Sequence, residues 1–407
     1  MVDVRRAQTE SLSLAWWLAG LGAISGAVAL FLWLIHVTPG DEGQQLALVK
    51  SLMSGDLVHA FGGGVPAQTS GPGFGLFALP IFAFLRVFVS DHTAYVTASL
   101  ACLIPLAWSV MAASRATGVV RRSGRELAYV AVVVLGTSVM ANYFEALHPA
   151  DVLATAACLG AFAALANRRV AWAFVLLGFA LATRQWAVLA LAVLATLERG
   201  DARRDLVVGS VGVATVLVLP FFIANTSQTL DTFAAESVGR GPLAAMSLFD
   251  ISPPLARLLG RTLPLLGTAA LCAWLLLRRV TWSPEVAVAA LAVAFLIRPP
   301  FDPAGYLYYA APGYAFFVLM SPRRWRWLAA AVAGSAALLL RYSLRLRYPY
   351  ARFVSVRIVL LPYRASGVAL SIATTAIYVA ALVAALIHLR TLVNRDDQRS
   401  VPSPLEV

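Results

Sequence analysis

The groups in this sequence best suited to chemistry are few and stand apart from one another in an otherwise apolar chain. The carboxylate pair Asp41–Glu42 lies in Thr38-Pro-Gly-Asp-Glu-Gly43, between an apolar run and a short amphipathic stretch over 44–53. A carboxylate held beside apolar walls has its charged form disfavoured, which moves it toward the range of a useful general base. The same residue in the same place also serves as a helix cap, and the sequence alone leaves both roles open. The second group is Glu145-Ala-Leu-His148-Pro-Ala-Asp151. His148 could hold a phosphate or a sugar hydroxyl, Asp151 could cap the helix that follows, and a His-Pro turn can equally be structural. The third is Thr183-Arg184-Gln185-Trp186, a permanently charged planar fork in the middle of an apolar run. A guanidinium there needs an anion or several carbonyls, and a lipid phosphate would serve. The fourth is Arg298-Pro-Pro-Phe-Asp302-Pro followed by Tyr306, Tyr308 and Tyr309. It reads either as an arginine–aspartate bridge with an interfacial tyrosine belt or as part of a binding site. Last comes an arginine-rich loop over 341–364 with tyrosines interleaved, suited to lipid headgroups or to substrate. Cys102, Cys158 and Cys272 sit in separate apolar runs and the five histidines are scattered. No disulfide framework or zinc spacing follows, and no metal or cofactor is expected, although Asp41–Glu42 could contribute ligands to a divalent ion.

The elements that must position these groups are set by composition. Of 407 residues 60% are hydrophobic and only 13% charged, with a mean hydropathy of +0.78. No soluble core can hold so much apolar surface and still leave a polar coat. The chain is expected to be a single all-α domain over 1–407, a polytopic transmembrane bundle of about twelve spanning helices. The first span is 14–37, a retained helix rather than a cleaved signal. The stretch 38–91 is then the first outer loop. Within it 71–89, broken by Gly71, Pro72, Gly73 and Pro80, is expected to lie on or dip into the outer leaflet. Counting it as a span would export Arg115, Arg121, Arg122 and Arg125, against the positive-inside rule. Further spans fall near 92–114, 126–144, 151–166, 205–223, 263–277, 284–297, 304–320, 327–342 and 367–389. The run 170–197 is expected to form two short helices meeting at Arg184 on the outer side. One long helix would bury that guanidinium at mid-bilayer and export Arg199, Arg203 and Arg204.

The net charge of +12 would suggest nucleic acid in a soluble protein. Here it sorts by side, and no nucleic-acid partner is expected. Nineteen of the 32 basic residues fall inside, including those of a cytoplasmic tail over 390–407, and both termini are cytoplasmic. Thirteen fall outside, six of them in the 341–364 loop. All the candidate groups share that outer face. A carboxylate, a histidine and several arginines gathered there suit a reaction on lipid-borne phosphate substrates at the plasma membrane.

The order of these features resembles the GT-C superfamily of polytopic glycosyltransferases, most closely the family 87-like actinobacterial enzymes that include mannosyltransferases using polyprenyl-phosphate-mannose. The matching residues run through most of the chain. They are an outer loop opening with Asp41, the surface segment Ser70-Gly-Pro-Gly-Phe-Gly-Leu-Phe-Ala-Leu-Pro80, the His148-Pro-x-Asp151 turn, Gly178-Phe-Ala-Leu-Ala-Thr-Arg-Gln-Trp186, and Arg298…Asp302-Pro…Tyr308-Tyr309…Pro312. The chain departs from the pattern at Ser70-Gly71-Pro72 and at Ala150. The resemblance implies a GT-C fold and a sugar, mannose by analogy, moved with inversion from a polyprenyl-phosphate donor to a lipid or glycan acceptor on the extracytoplasmic face. It implies Asp41 as general base with Glu42 in reserve, and His148, Asp151, Arg184, Gln185, Arg298, Asp302, Tyr308 and Tyr309 as the donor-phosphate and substrate-binding set. Arginines can stabilise a departing lipid phosphate without a metal. Two other readings stand beside it: a transporter or flippase of lipid-linked sugars, which would be expected to carry internal repeats, and a structural subunit of an envelope-assembly complex.

Overall fold

A computed structural model of the chain describes residues 42–61, 71–118, 130–134, 136, 139–140, 142–143, 147–234, 253–301, 307–320 and 363–399. The first span, most of the 126–144 span, the 327–342 span, Asp41, Asp302 and nearly all of the arginine-rich loop lie outside them. Among the described residues the chain is helical without strands. Its helices are α1 (Glu42–Ser54), α2 (Pro72–Leu85), α3 (Asp91–Ala101), α4 (Leu103–Ala116), α5 (Pro149–Ala166), α6 (Val170–Thr183), α7 (Val188–Leu197), α8 (Gly200–Ala224), α9 (Thr226–Ala234), α10 (Pro253–Leu277), α11 (Pro284–Phe301), α12 (Ala311–Met320) and α13 (Tyr363–Arg399). Short 3-10 turns at Gln185–Ala187 and Leu307–Ala310 precede α7 and α12.

Six of the described helical segments are long and apolar enough to cross a membrane: Asp91–Ala116, Pro149–Ala166, Gly200–Ala224, Leu258–Leu277, Pro284–Phe301 and Thr375–Arg395. Their exposed faces say what surrounds them. Along α8, Val207, Val208, Val211, Val216, Leu219, Phe222 and Ile223 are all exposed, a stripe that water would not tolerate and acyl chains would solvate. The all-α polytopic bundle expected from composition is therefore the fold observed.

Local sequence explains the interruptions. The 92–114 run is two helices, α3 and α4, because Pro105 lacks the N–H that would reach Ala101 and its ring crowds that carbonyl. Cys102 instead closes a tighter turn, its N–H reaching the Ser99 carbonyl at 3.2 Å. The segment around Gly71 to Val89 gives α2, whose 14 residues span roughly 21 Å against a hydrocarbon core of about 30 Å. It is too short to cross. The 170–197 run is likewise α6 and α7, divided at Arg184. Several boundaries differ from the hydropathy reading, among them α10, which begins at Pro253 rather than near 263. α11 continues through Pro299 and Pro300 to Phe301, so Arg298 is helical rather than in a loop, and the two prolines leave the last turn without their donors. α13 runs to Arg399, helicity persisting past the apolar stretch into a polar sequence that contains neither glycine nor proline.

The chain divides into two compact units, Met1–Ala187 with Asp205–Ala235, and Val188–Arg204 with Glu236–Val407. In the first, α5 is the central helix. It is apolar all round and buries fifteen of its eighteen residues, most of them alanine or other small side chains that let α4 and α6 approach closely. α8 meets α6 where Gly178 faces Ser210 and Val213 and where Gly209 faces the Phe174 ring. α1 lies against α2 and, through Leu48 with Ala60 and Phe61, against Phe221 of α8. The turn after α1 is held by Asp56, which accepts from the His59 backbone and ring, and by Asn225 donating to the Val58 carbonyl at 3.2 Å. The His59 bond keeps the Asp56 carboxyl below the usual carboxylate range.

In the second unit α11 is the buried helix, every residue from Val286 to Leu296 being inside. α7, α10, α12 and α13 pack around it, with Phe295 stacked on Phe316 at 5.7 Å. Arg203 turns back to satisfy the carbonyls at the end of α7, donating to Ala195, Thr196 and Glu198 at 2.8–3.0 Å.

Candidate functional site

Three separated stretches of the first unit converge on one buried polar cluster. α5 supplies His148 and Asp151 at its start, the break after α6 supplies Arg184 and Trp186, and α1 supplies Gln45. The side chains of His148, Asp151 and Arg184 are almost fully buried, as is that of Gln45.

The break exists because the apolar run must deliver a guanidinium without dragging it through the membrane interior. Arg184 ends α6 in an extended conformation, its N–H still bonded to the Ala180 carbonyl, and the 3-10 turn begins at Gln185. Arg184 Nη2 donates to Asp151 Oδ2 at 2.5 Å, and Trp186 Nε1 donates to Asp151 Oδ1 at 2.8 Å. Both carboxylate oxygens are thus engaged. Asp151 does not cap α5 as the sequence suggested was possible. It occupies the third helical position, where the helix dipole also favours a negative charge, and it holds the arginine. His148 is the residue at the helix boundary, followed by Pro149 at the first helical position, a place proline suits because the N–H it lacks would have no partner.

The turn that presents His148 is strained. Leu147, fully buried, has φ +50, a conformation costly for a branched side chain. The reward is that the His148 N–H reaches the Asn142 carbonyl at 2.7 Å and the ring faces two donors. Nδ1 of His148 lies 3.0 Å from Gln45 Nε2 and 3.1 Å from Arg184 Nη2. Strain of this kind persists where the surroundings over-determine it, and here the Asn142 carbonyl, Gln45 and Arg184 do so.

α2 braces the same corner. The Gly71 N–H donates to the Thr183 carbonyl at 3.1 Å, and Gly73 lies so close that a Cβ would collide with Thr183 Oγ1 and press on the Thr183 backbone nitrogen. Thr183 Oγ1 is itself committed to the Phe179 carbonyl at 2.7 Å, so a rotamer change alone does not make room. Gly73→Ala is therefore expected to cost about 1–3 kcal/mol as an overpacking change and to displace Arg184. Thermal unfolding of purified protein checks this, with partial recovery expected in Gly73→Ala/Thr183→Ala.

Of the sequence-predicted residues, His148, Asp151 and Arg184 are brought together. Gln185 is exposed, while its neighbours on both sides are buried. Glu42 is the first residue of α1, one turn before Gln45. Arg298 belongs to the second unit, its guanidinium carbon 4.3 Å from the centroid of the buried Tyr309 ring. Asp302, read from the sequence as a possible bridge to it, lies outside the described residues. Tyr308 begins no helix of its own and falls within the 3-10 turn before α12. Gln45 and Trp186 were not singled out by the sequence as site residues. Among the described residues no group of three or more His, Cys, Asp or Glu could hold a metal ion.

The helical bundle, with its short helices and its apolar run broken at a buried arginine, has the GT-C type of fold. Among solved structures it is similar to ArnT from Cupriavidus metallidurans in the apo state, with 16% sequence identity, 94% of this chain and 74% of that chain covered, and a TM-score of 0.50. The same protein bound to undecaprenyl phosphate gives 16% identity, 93% and 73% coverage and a TM-score of 0.49. No protein-family model matches the sequence. No curated protein matches it either. At this identity the likeness is one of fold.

Proposed function

We propose that the chain is a membrane glycosyltransferase that moves a sugar from a polyprenyl-phosphate donor to a lipid or glycan acceptor on the extracytoplasmic face, with both termini in the cytoplasm. The observation that carries this reading is the Gln45–His148 contact. It joins α1, whose first residue is Glu42, to the buried cluster of His148, Asp151 and Arg184, with Gln45 and His148 103 positions apart in the chain. A general base and a fixed cation are the two things that glycosyl transfer from a polyprenyl-phosphate donor asks of a protein: one removes the acceptor proton, the other stabilises the departing phosphate.

In this mechanism Asp41 takes the proton of the acceptor hydroxyl as its oxygen attacks the anomeric carbon. The bond from that carbon to the phosphate oxygen breaks on the opposite face, giving inversion. Polyprenyl phosphate leaves carrying the bonding pair, next to His148 and Arg184. Asp151, itself held by the Trp186 indole N–H, fixes Arg184; the family resemblance further implies Glu42 as the reserve base and Gln185, Arg298, Asp302, Tyr308 and Tyr309 as substrate-binding residues. Mannose is the sugar that resemblance favours. A fold shared with a known enzyme supplies the scaffold and leaves the chemistry to the site.

The test is direct. Purified protein in lipid nanodiscs, given polyprenyl-phosphate-mannose and a membrane-lipid extract as acceptor, should release polyprenyl monophosphate and form one new mannosylated product. Release with a different polyprenyl-phosphate hexose alone would correct the sugar. No release from any of them would sink the reading.

A further inference from the structure

The end of α2 presents apolar side chains that nothing in its own unit covers. Phe84, Val87 and Phe88 are 67–74% exposed, and Val89 beside them is exposed too. The backbone there is closed by its own bonds. The Phe88 and Val89 N–H groups both donate to the Leu85 carbonyl, at 2.9 and 3.1 Å, and the Ser90 hydroxyl accepts from the Thr93 N–H to start α3. The Phe84 and Phe88 rings meet edge to face at 5.5 Å.

Arg86 stands in the middle of this apolar surface. Its Nη1 donates to Met53 Sδ at 3.1 Å, and its Nε lies 3.9 Å from Asp91 Oδ1. Lys50, the chain's only lysine, pairs with Asp91 Oδ2 at 2.6 Å. Cations from α1 and from the end of α2 thus face one carboxylate at the start of α3, and all three side chains are 37–45% exposed. Helix dipoles account for a cation where α2 ends and a carboxylate where α3 begins. Lys50 is the charge left over, so the corner carries a net charge of about +1 among exposed rings and aliphatic side chains. That combination belongs to a membrane interface, where apolar groups enter the acyl region and cations meet the phosphates.

We propose that this corner binds one anionic phospholipid, with its phosphodiester on Lys50 and Arg86 and its acyl chains along Phe84, Val87 and Phe88. A zwitterionic lipid offers the same phosphodiester but brings a cation of its own, so the leftover charge selects a headgroup that is negative overall. By bridging Lys50 of α1 to Arg86, the lipid also steadies the helix that begins at Glu42 and carries Gln45 to His148. The site does not depend on the transferase reading and holds whether or not the chain moves a sugar.

The experiment uses the full chain in nanodiscs of equal parts phosphatidylglycerol and phosphatidylcholine, with a photoreactive acyl chain on one lipid or the other. Cross-links to 84–89 are counted as the ratio of the first lipid to the second. The reference is the same ratio at 211–219 of α8, a lipid-facing stretch without charged residues. One cation at an anionic surface is worth roughly a fivefold preference, so 84–89 should favour phosphatidylglycerol about fivefold over the reference. Lys50→Gln makes the corner neutral and should bring the ratio down to the reference. Asp91→Asn releases both cations and should raise it about fivefold again. A native ratio equal to the reference overturns the proposal, and the native chain decides this even if a variant does not fold. A ratio unchanged in a folded Asp91→Asn chain also overturns it, since the three charges would then be an ion bridge and nothing more. Polyprenyl monophosphate added at a small mole fraction should leave the labelling as it was. If it displaces phosphatidylglycerol from 84–89, the corner belongs to the donor lipid, and this inference falls while the transferase reading stands.

Discussion

Asp41→Asn is expected to lower the turnover of lipid-linked sugar by about 10²–10⁴-fold while leaving polyprenyl monophosphate bound as before. That range is what positioned proton transfer contributes in enzymes generally. Asparagine keeps the shape and the capping oxygen of aspartate but cannot take a proton. If Asp41 only started α1, the substitution would be nearly silent, since asparagine caps as well as aspartate. The two roles left open by sequence are therefore separated by one change. Glu42, the next residue and the first of α1, is the reserve base, so Asp41→Asn/Glu42→Gln should remove the residual rate. Unaltered turnover in the double variant would take the base out of this loop altogether. Measuring turnover and binding on the same preparation distinguishes lost chemistry from lost affinity.

The second large effect is structural. Asp151→Ala should destabilise the protein by about 3–5 kcal/mol, because it removes the buried carboxylate that neutralises the Arg184 guanidinium and accepts the Trp186 indole N–H. Removing both charges is a different matter. A buried pair exchanged for apolar side chains of similar volume is often neutral in stability, so Asp151→Ala/Arg184→Met should recover much of the loss in thermal unfolding. It should not recover turnover, since no cation then remains at the phosphate. A double variant as unstable as Asp151→Ala would mean that the pair is not the source of the cost.

How far the sequence went can be judged at these same residues. Arg184 announced itself, because a guanidinium inside a 28-residue apolar run is affordable only at a break, and the break is where α6 ends. His148 and Asp151 were legible as a polar turn, and α2 as a non-spanning segment through its glycines and prolines. The outline of the bundle followed from hydropathy. What could not be read was pairing. Gln45 meets His148 across 103 positions, and no periodicity carries that information. A faint signal existed in hindsight: Gln45 shares a helix face with Leu48 and Val49, so a polar residue was pointing with the apolar side. Asp151 was misjudged as a possible cap for a related reason. Its position in the first turn was right, but a tertiary partner with a full charge outcompeted the local backbone donors. The helical Pro299 and Pro300 show the same thing in the other direction, local preference yielding to the packing of α11.

These residues make a single claim, that α1, the start of α5 and the break after α6 form one phosphate-binding site beside a carboxylate. The most direct measurement is an electron-cryomicroscopy map of the chain bound to a non-transferable polyprenyl-phosphonate analogue of the donor. Density for the phosphonate within hydrogen-bonding distance of His148 and Arg184, with the sugar on the side of Asp41, is the predicted result. A headgroup seated away from His148 and Arg184 would contradict the account.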